Sequence, residues 1–273
     1  MKLNEKINLL CRYPISQIYN LRSNFPKVIT DYETIRLIRD EHKSAARFGD
    51  GEIELMLGYS IAFQEKSRPL AEKLREVAIS QNDDLIVCIP DVFYSKKVLI
   101  KKYKKQDAIW WAKSNRYLAG YWKKFFKSKE YGNAFISRFY MLYQERTDIA
   151  NYVNELKSIW KNRRIVLVEG AETKLGEGND LFDNAESVCR IICPSQNAFS
   201  EYDHIYEEVM SKTDKDDLII ISLGPTATVL ASDLAKSNRQ ALDLGHFDIE
   251  YMWYKMGATK KVKVNGKAVN EAK

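Results

Sequence analysis

Four short runs rich in β-branched residues, each closed by turn residues, limit this chain more than any other feature: 85–89, 164–168, 187–192 and 217–222. Five or six residues are too few for a free-standing helix, and their lack of polar alternation suits strands covered on both faces. Residues 45–48 and 241–244 are weaker strand candidates that gain from their flanks. Helical periodicity fills the intervals, over residues 32–43, 53–57, 69–80, 149–160, 202–210 and 228–235. Strand and helix alternate, which predicts an α/β fold with a doubly wound, mostly parallel sheet. A chain of 273 residues hides roughly three quarters of the surface its unfolded form exposes, enough for one large domain, expected over 1–257, without metal or disulfide staples.

Charge is concentrated in one place. The chain carries a net +6, yet residues 96–129 hold 12 basic side chains and one acid, Asp107, so the segment alone is +11 and the remainder −5. Leu118, Tyr121, Trp122 and Phe125 lie at helical spacing within it, so residues 94–129 are expected to form a helical insertion, with lysines around an aromatic stripe. Such a run is either a solvated helix face or a contact for nucleic acid, anionic lipid headgroups or a glycan-bearing polypeptide. No nucleic-acid-binding signature accompanies it, so nucleic acid is not expected as a partner. Residues 258–273 read as a basic, poorly ordered tail.

Cys11, Cys88, Cys189 and Cys193 sit among apolar neighbours with no zinc spacing, which predicts reduced, buried thiols. The first residues, Met1-Lys2-Leu3-Asn4-Glu5-Lys6, carry no long apolar run and no small-residue cleavage site. A cytoplasmic protein is expected, lying at the inner face of the membrane if the basic run meets lipid.

The chemistry collects where strands hand over to helices. In Arg47-Phe48-Gly49-Asp50-Gly51-Glu52 the turn offers the free N–H groups that favour phosphate, yet Asp50 and Glu52 would repel it. A divalent cation, Mg²⁺ or Mn²⁺, resolves that conflict; the alternative is that Asp50 caps the helix and Glu52 complements its dipole. A second turn, Ser222 to Thr228, has Gly224 for close backbone approach and Pro225 and Thr226 to open a helix, which suits an anion or serves as a plain tight turn. In the third, Asp243 to Tyr251, an extended chain would put His246, Asp248 and Glu250 on one face. There His246 is a candidate metal ligand or phosphate donor, and Asp248 a candidate base toward an acceptor. The loops around Asn179 and around Ser195 and Asn197 are candidates for nucleotide contacts, or plain connections. A dinucleotide fingerprint, a Gly-Lys-Ser/Thr phosphate loop and a nucleophile elbow are all missing.

Five segments occur in order: the Arg47–Glu52 hexapeptide; Gly176-Glu177-Gly178-Asn179-Asp180-Leu181-Phe182; Cys193-Pro194-Ser195-Gln196-Asn197-Ala198-Phe199; Leu223-Gly224-Pro225-Thr226-Ala227-Thr228; and Asp243-Leu244-Gly245-His246-Phe247-Asp248-Ile249-Glu250-Tyr251. The set resembles the bacterial GT-D-fold glycosyltransferases. That family was first catalogued as a domain of unknown function and is represented by a glucosyltransferase that extends the glycan on streptococcal serine-rich adhesins. The resemblance implies a Rossmann-like fold that binds a UDP-sugar and a divalent metal through Asp50-Gly51-Glu52. It further implies transfer of a sugar, glucose by likeness, to a glycan acceptor on a surface glycoprotein. On that reading Arg47 and the amides of Gly224 to Thr226 face the diphosphate, with Asp50, Glu52 and His246 as metal ligands. Asn179, Ser195 and Asn197 take the nucleotide, and Asp243 the ribose or a supporting hydrogen bond. Asp248 deprotonates the acceptor if the anomeric centre inverts. An oligomer is allowed for. Two rival classes stand beside it: a metal-dependent nucleotide phosphohydrolase and a non-enzymatic polyanion-binding module.

Overall fold

The computed structural model describes residues 25–127, 130–145, 148–245 and 247–267. Among them eight strands form one sheet in the order β1-β4-β3-β2-β8-β7-β5-β6, every pairing parallel. In chain order these are β1 (Lys27–Val28), β2 (Ser44–Arg47), β3 (Leu85–Ile89), β4 (Glu130–Asn133), β5 (Arg164–Gly170), β6 (Ser187–Cys193), β7 (Leu218–Ser222) and β8 (Gln240–Asp243). The helices between them are α1 (Asp31–Asp40), α2 (Asp50–Met56), α3 (Arg68–Ala78), α4 (Lys96–Lys102), α5 (Lys105–Phe125), α6 (Ile149–Ser158), α7 (Tyr202–Lys212), α8 (Pro225–Lys236) and α9 (Phe247–Lys255).

Side chains alternate between the two faces of the sheet, as strand geometry requires. Ala46, Val166, Val168, Ile219 and Ile221 meet α2, α3, α5, α7 and α8. Ala45, Ile165, Leu167, Leu218 and Ile220 meet α1, α6 and α9. Both faces are thereby covered, and the expected doubly wound sheet is present.

The two weakest strand candidates turn out to be its middle. β2 and β8 are short and carry alanines where the outer strands carry Ile and Val, because α8 lies against them through Ala227 and Ala231 and leaves room only for Ala46 and Ala241. The strand order also reverses here: β3 and β4 step away from β2 on one side, while β7 and β8 return toward it on the other. Parallel α/β sheets lodge ligands beyond the carboxyl ends of strands at such a reversal.

Three expectations need correcting. The basic stretch from residue 94 is helical as expected, but it also serves as the crossover from β3 to β4, and Leu118, Tyr121 and Trp122 of α5 enter the main core. Only α4 and the first half of α5 are additional, forming a satellite cluster of Leu99, Tyr103, Ala108 and Trp111 with Val92, Phe135 and Leu142. β4 escapes a sequence reading because Glu130-Tyr131-Gly132-Asn133 offers one apolar side chain; it is held by its register with β3, Cys88 to Gly132 and Ile89 to Asn133.

The tail, as far as Lys267, is packed rather than loose. Val264 is buried against Trp253 and Ile249 of α9, and the Trp253 indole donates to the Val262 carbonyl at 2.9 Å. Lastly, Cys88 and Cys193 are buried, but Cys189 is exposed because β6 is an edge strand. No helix among the described residues is long and apolar enough to cross a membrane.

Candidate active site

All five sequence segments meet at the carboxyl edge of the sheet, following β2, β5, β6, β7 and β8. At its centre is Arg47, the last residue of β2. Its Nε donates to the Asp243 carbonyl at 2.5 Å and its Nη2 to Asp243 Oδ1 at 2.9 Å. Nη1 reaches across to the Ser137 hydroxyl at 2.6 Å and the Ala134 carbonyl at 3.2 Å. Thr228 of α8 closes the knot, donating to the Arg47 carbonyl at 2.8 Å. Gly245, at φ 48°, is required here twice over: the backbone is left-handed, and a Cβ would collide with the Arg47 guanidinium. Arg47 is therefore a brace joining β2, β8 and the 3-10 turn Ala134–Ser137, and Asp243 is its buried counter-ion. Of the two roles expected for Asp243, ribose contact or a supporting hydrogen bond, these contacts display the second, and they direct the Arg47 guanidinium to Asp243, Ala134 and Ser137.

Beyond this brace the chain turns through Phe48 and Gly49 into α2. Gly49 is the N-cap, so Asp50 is the first helical residue and does not cap. Glu52 reaches back to accept the Gly49 N–H at 2.6 Å, tying up one of its oxygens. Burial is the largest influence on this carboxyl, and the Asp243 and Asp50 charges push it further the same way, to about 7. Burial likewise raises the Asp243 carboxyl, against the pull of Arg47. Three acids, with Arg47 braced against one of them, leave a concentration of negative charge at the point where α/β folds receive phosphate.

Hard carboxylate oxygens of this kind fit Mg²⁺ or Mn²⁺. No group of three or more His, Cys, Asp or Glu among the described residues could hold an ion unaided. Asp50 and Glu52 are the residues here whose carboxylates could contribute to holding such an ion. His246 lies outside the described residues.

At the next strand end, Gly224 has φ 55° and the Phe63 ring packs on it, 2.6 Å from where a Cβ would stand. Pro225 and Thr226 are buried, so what this turn can offer a ligand is backbone and the half-buried Phe63 ring, not the Thr226 hydroxyl. Phe63 was not legible as a site residue; its loop is pinned from the β6 side, where Asn197 donates its N–H to the Phe63 carbonyl at 3.0 Å and accepts the Glu65 N–H on Oδ1 at 2.7 Å. Asn197 is therefore a loop tether. Ser195 is exposed, accepting the Glu172 N–H at 3.3 Å.

Asp248 is buried and does not lie on an open face. The chain is helical from Phe247, so Asp248 and Glu250 diverge instead of sharing an extended face. Asp248, 1% exposed, accepts the Gly176 N–H and the Asn179 side-chain amide at 2.9 Å each and pairs with Lys267. Asn179 is consumed in the same cluster, its Oδ1 accepting the Leu181 N–H at 3.0 Å. Glu250 accepts the Tyr140 and Met141 N–H groups at 2.7 and 2.6 Å. Asp248 thus fastens α9 to the 174–182 loop and to Lys267, and Glu250 fastens it to the 140–141 turn. Asp248→Asn should accordingly lower stability by roughly 3 kcal/mol, since it strands the buried Lys267 cation. Thermal unfolding checks this; a variant that melts like its parent yet fails to transfer sugar would restore Asp248 as a base.

A parallel sheet covered by helices on both faces, with Asp50 and Glu52 just past the carboxyl end of its middle strand β2, defines an α/β protein. Residues 45–272 match the family model described as glycosyltransferase GT-D fold, and the chain belongs to that family. It is 38% identical to a probable glycosyl transferase Gly of Streptococcus gordonii over 89% of its length, covering 35% of that protein. Over 88% of its length it is 38% identical to glycosyltransferase GlyD of Streptococcus pneumoniae serotype 4, covering 29% of it. The chain thus spans about a third of the curated relatives it matches. A solved glycosyltransferase from Streptococcus sanguinis superposes with a TM-score of 0.85 at 37% identity, over 90% of this chain and 91% of that one. A solved domain described as having a distinct glycosyltransferase fold gives 0.86 at 38% identity, over 95% and 90%.

Proposed function

We propose that the chain transfers a sugar from a UDP-sugar, glucose by family likeness, to a glycan acceptor on a surface glycoprotein, with a divalent cation shared between Asp50, Glu52 and the donor diphosphate. One observation carries the reading: Glu52 and Asp50 stand just past the carboxyl end of the middle strand, where burial and the Asp243 and Asp50 charges make the Glu52 charge costly unless a cation joins it. When bound, such an ion would offset the negative charge that builds on the departing diphosphate. The chain's own residues do the rest. Glu52, fixed by the Gly49 N–H, presents its carboxyl at the start of α2. The Arg47–Asp243 brace sets the distance between β2 and β8. Backbone at Gly224 and the face of Phe63 line the neighbouring strand end, where a planar base or sugar ring has an aromatic surface to rest on.

Calorimetry with UDP, UDP-sugars and other nucleotides, with and without Mn²⁺, tests the donor. Metal-dependent preference for UDP is expected; metal-independent or base-indifferent binding would remove the proposal. Release of inorganic phosphate with no acceptor present would favour the phosphohydrolase instead.

A pH dependence follows from the same carboxyl. Glu52 must be ionised to share a cation, and its carboxyl is pushed up to about 7. Affinity for Mn²⁺ should therefore be flat above that value and fall up to about tenfold per pH unit below it. Asp243→Asn, by removing one of the charges that raise Glu52, should move the midpoint to lower pH. Cation affinity level from pH 6 to 8 would separate Glu52 from the ion.

A further inference from the structure

The concentrated positive charge has a second property that the donor site does not use. α4 and α5 form a pair whose inward sides, Leu99, Tyr103, Ala108 and Trp111, close the satellite cluster. Their outward sides carry exposed cations: Lys96, Lys97 and Lys101 on α4, and Lys105, Lys113 and Arg116 on α5. The two acids nearby are spent elsewhere, Asp91 on Lys102 and Asp107 on Lys261. Among these cations stand three large apolar side chains left open to water: Tyr94 at 45%, Val98 at 43% and Trp110 at 47% exposure. Spacing lines them up with the charges. Tyr94, Val98 and Lys101 lie four and three residues apart, and Lys105, Ile109, Lys113 and Arg116 run along α5 beside Trp110.

We propose that the outward face of the α4–α5 pair is a docking surface for an anionic lipid bilayer. Cations alone would serve any polyanion, whether nucleic acid or acidic peptide. An indole and a phenol could stack on unpaired bases, but an exposed valine gains nothing from a hydrated polyanion, whereas all three gain burial at a headgroup boundary, where Trp and Tyr rest with a polar edge outward and lysines meet lipid phosphate. The residues outside 96–129 sum to −5, so the strongest attraction to an anionic surface lies on this face, which favours docking through it. The pair follows the carboxyl end of β3, which is hydrogen-bonded to β2, the strand leading to Asp50 and Glu52. The docked edge is therefore the edge that holds the donor site.

The test uses the full chain and sedimentation with two vesicle preparations, phosphatidylcholine alone and phosphatidylcholine mixed with phosphatidylglycerol. Binding to the mixed vesicles only, weakened by salt, is expected. Replacing Lys97, Lys101 and Lys113 together by Gln should reduce it roughly a hundredfold, and Trp110→Ala should reduce it about tenfold. All four side chains are exposed and absent from the donor site, so UDP-sugar binding and circular dichroism should not change. Failure to sediment with either preparation would overturn the proposal. So would Trp110→Ala binding as tightly as its parent while heparin displaces both, since that marks a polyanion surface with no use for lipid. Neither failure would touch the donor reading, which calorimetry tests separately.

Discussion

Glu52→Gln is expected to abolish sugar transfer, by on the order of a thousandfold, while leaving the protein folded and, at alkaline pH, more stable than its parent. The two effects share one cause. A carboxyl that burial pushes up to about 7 from its ordinary 4.5 keeps its proton longer when folded. Between those values the folded state binds more protons, so stability falls as pH rises through the window and is lowest above it. The full interval corresponds to about 3 kcal/mol at 1.36 kcal/mol per unit. Glu52 keeps some solvent contact, so about half of that is the better expectation. Glutamine has the same shape and can still accept the Gly49 N–H, but it has no charge to bury, none to share with a cation and no proton to take. Urea unfolding at pH 5 and pH 8 reads the stability: parent and variant should converge at the lower pH and separate at the higher, with the variant ahead. A variant weaker than its parent at pH 8 would mean that Glu52 is a structural cap, and retained turnover would move the chemistry elsewhere.

How much of this was legible beforehand depended on what each feature rests on. The outer strands could be read from their residues, since Ile and Val packed on both faces leave an apolar run. β2 and β8 were faint because α8 demands alanine there, and β4 was invisible because register against β3, not composition, holds it in place. Within the site, Asp50 and Glu52 stood out because paired acids at a phosphate-type turn are a conflict visible in one dimension. Asp248 misled for the opposite reason. Its row of ionisable neighbours suggests an open face only if the chain stays extended, and once α9 begins at Phe247 the side chain turns inward to Gly176, Asn179 and Lys267. The partners of Arg47, at Ser137 and Asp243, lie 90 and 196 residues away, and no local pattern carries them.

That brace gives the largest expected loss of stability. Arg47→Ala should cost roughly 3–5 kcal/mol, the range for removing one member of a buried ion pair, or on the order of 10 °C in melting temperature for a chain of this size. It leaves the Asp243 carboxylate buried without its cation, and the Ser137 hydroxyl and Ala134 carbonyl without their donor. Arg47→Lys keeps the charge but not the fork: one ammonium cannot serve Asp243 Oδ1, the Asp243 carbonyl and the Ser137 hydroxyl together, so a loss of about 1–3 kcal/mol is expected there too. The double variant Arg47→Ala, Asp243→Asn distinguishes a charge effect from lost packing. If stranded charge dominates, the second substitution should recover more than 1 kcal/mol of the first; if the double variant is weaker than either single one, packing of the arginine stem is what matters. The same cycle reaches the chemistry. With Arg47 absent, an unneutralised Asp243 raises the Glu52 carboxyl further, so the acid limb of Mn²⁺ affinity in Arg47→Ala should be displaced above pH 7, and Asp243→Asn should bring it back below.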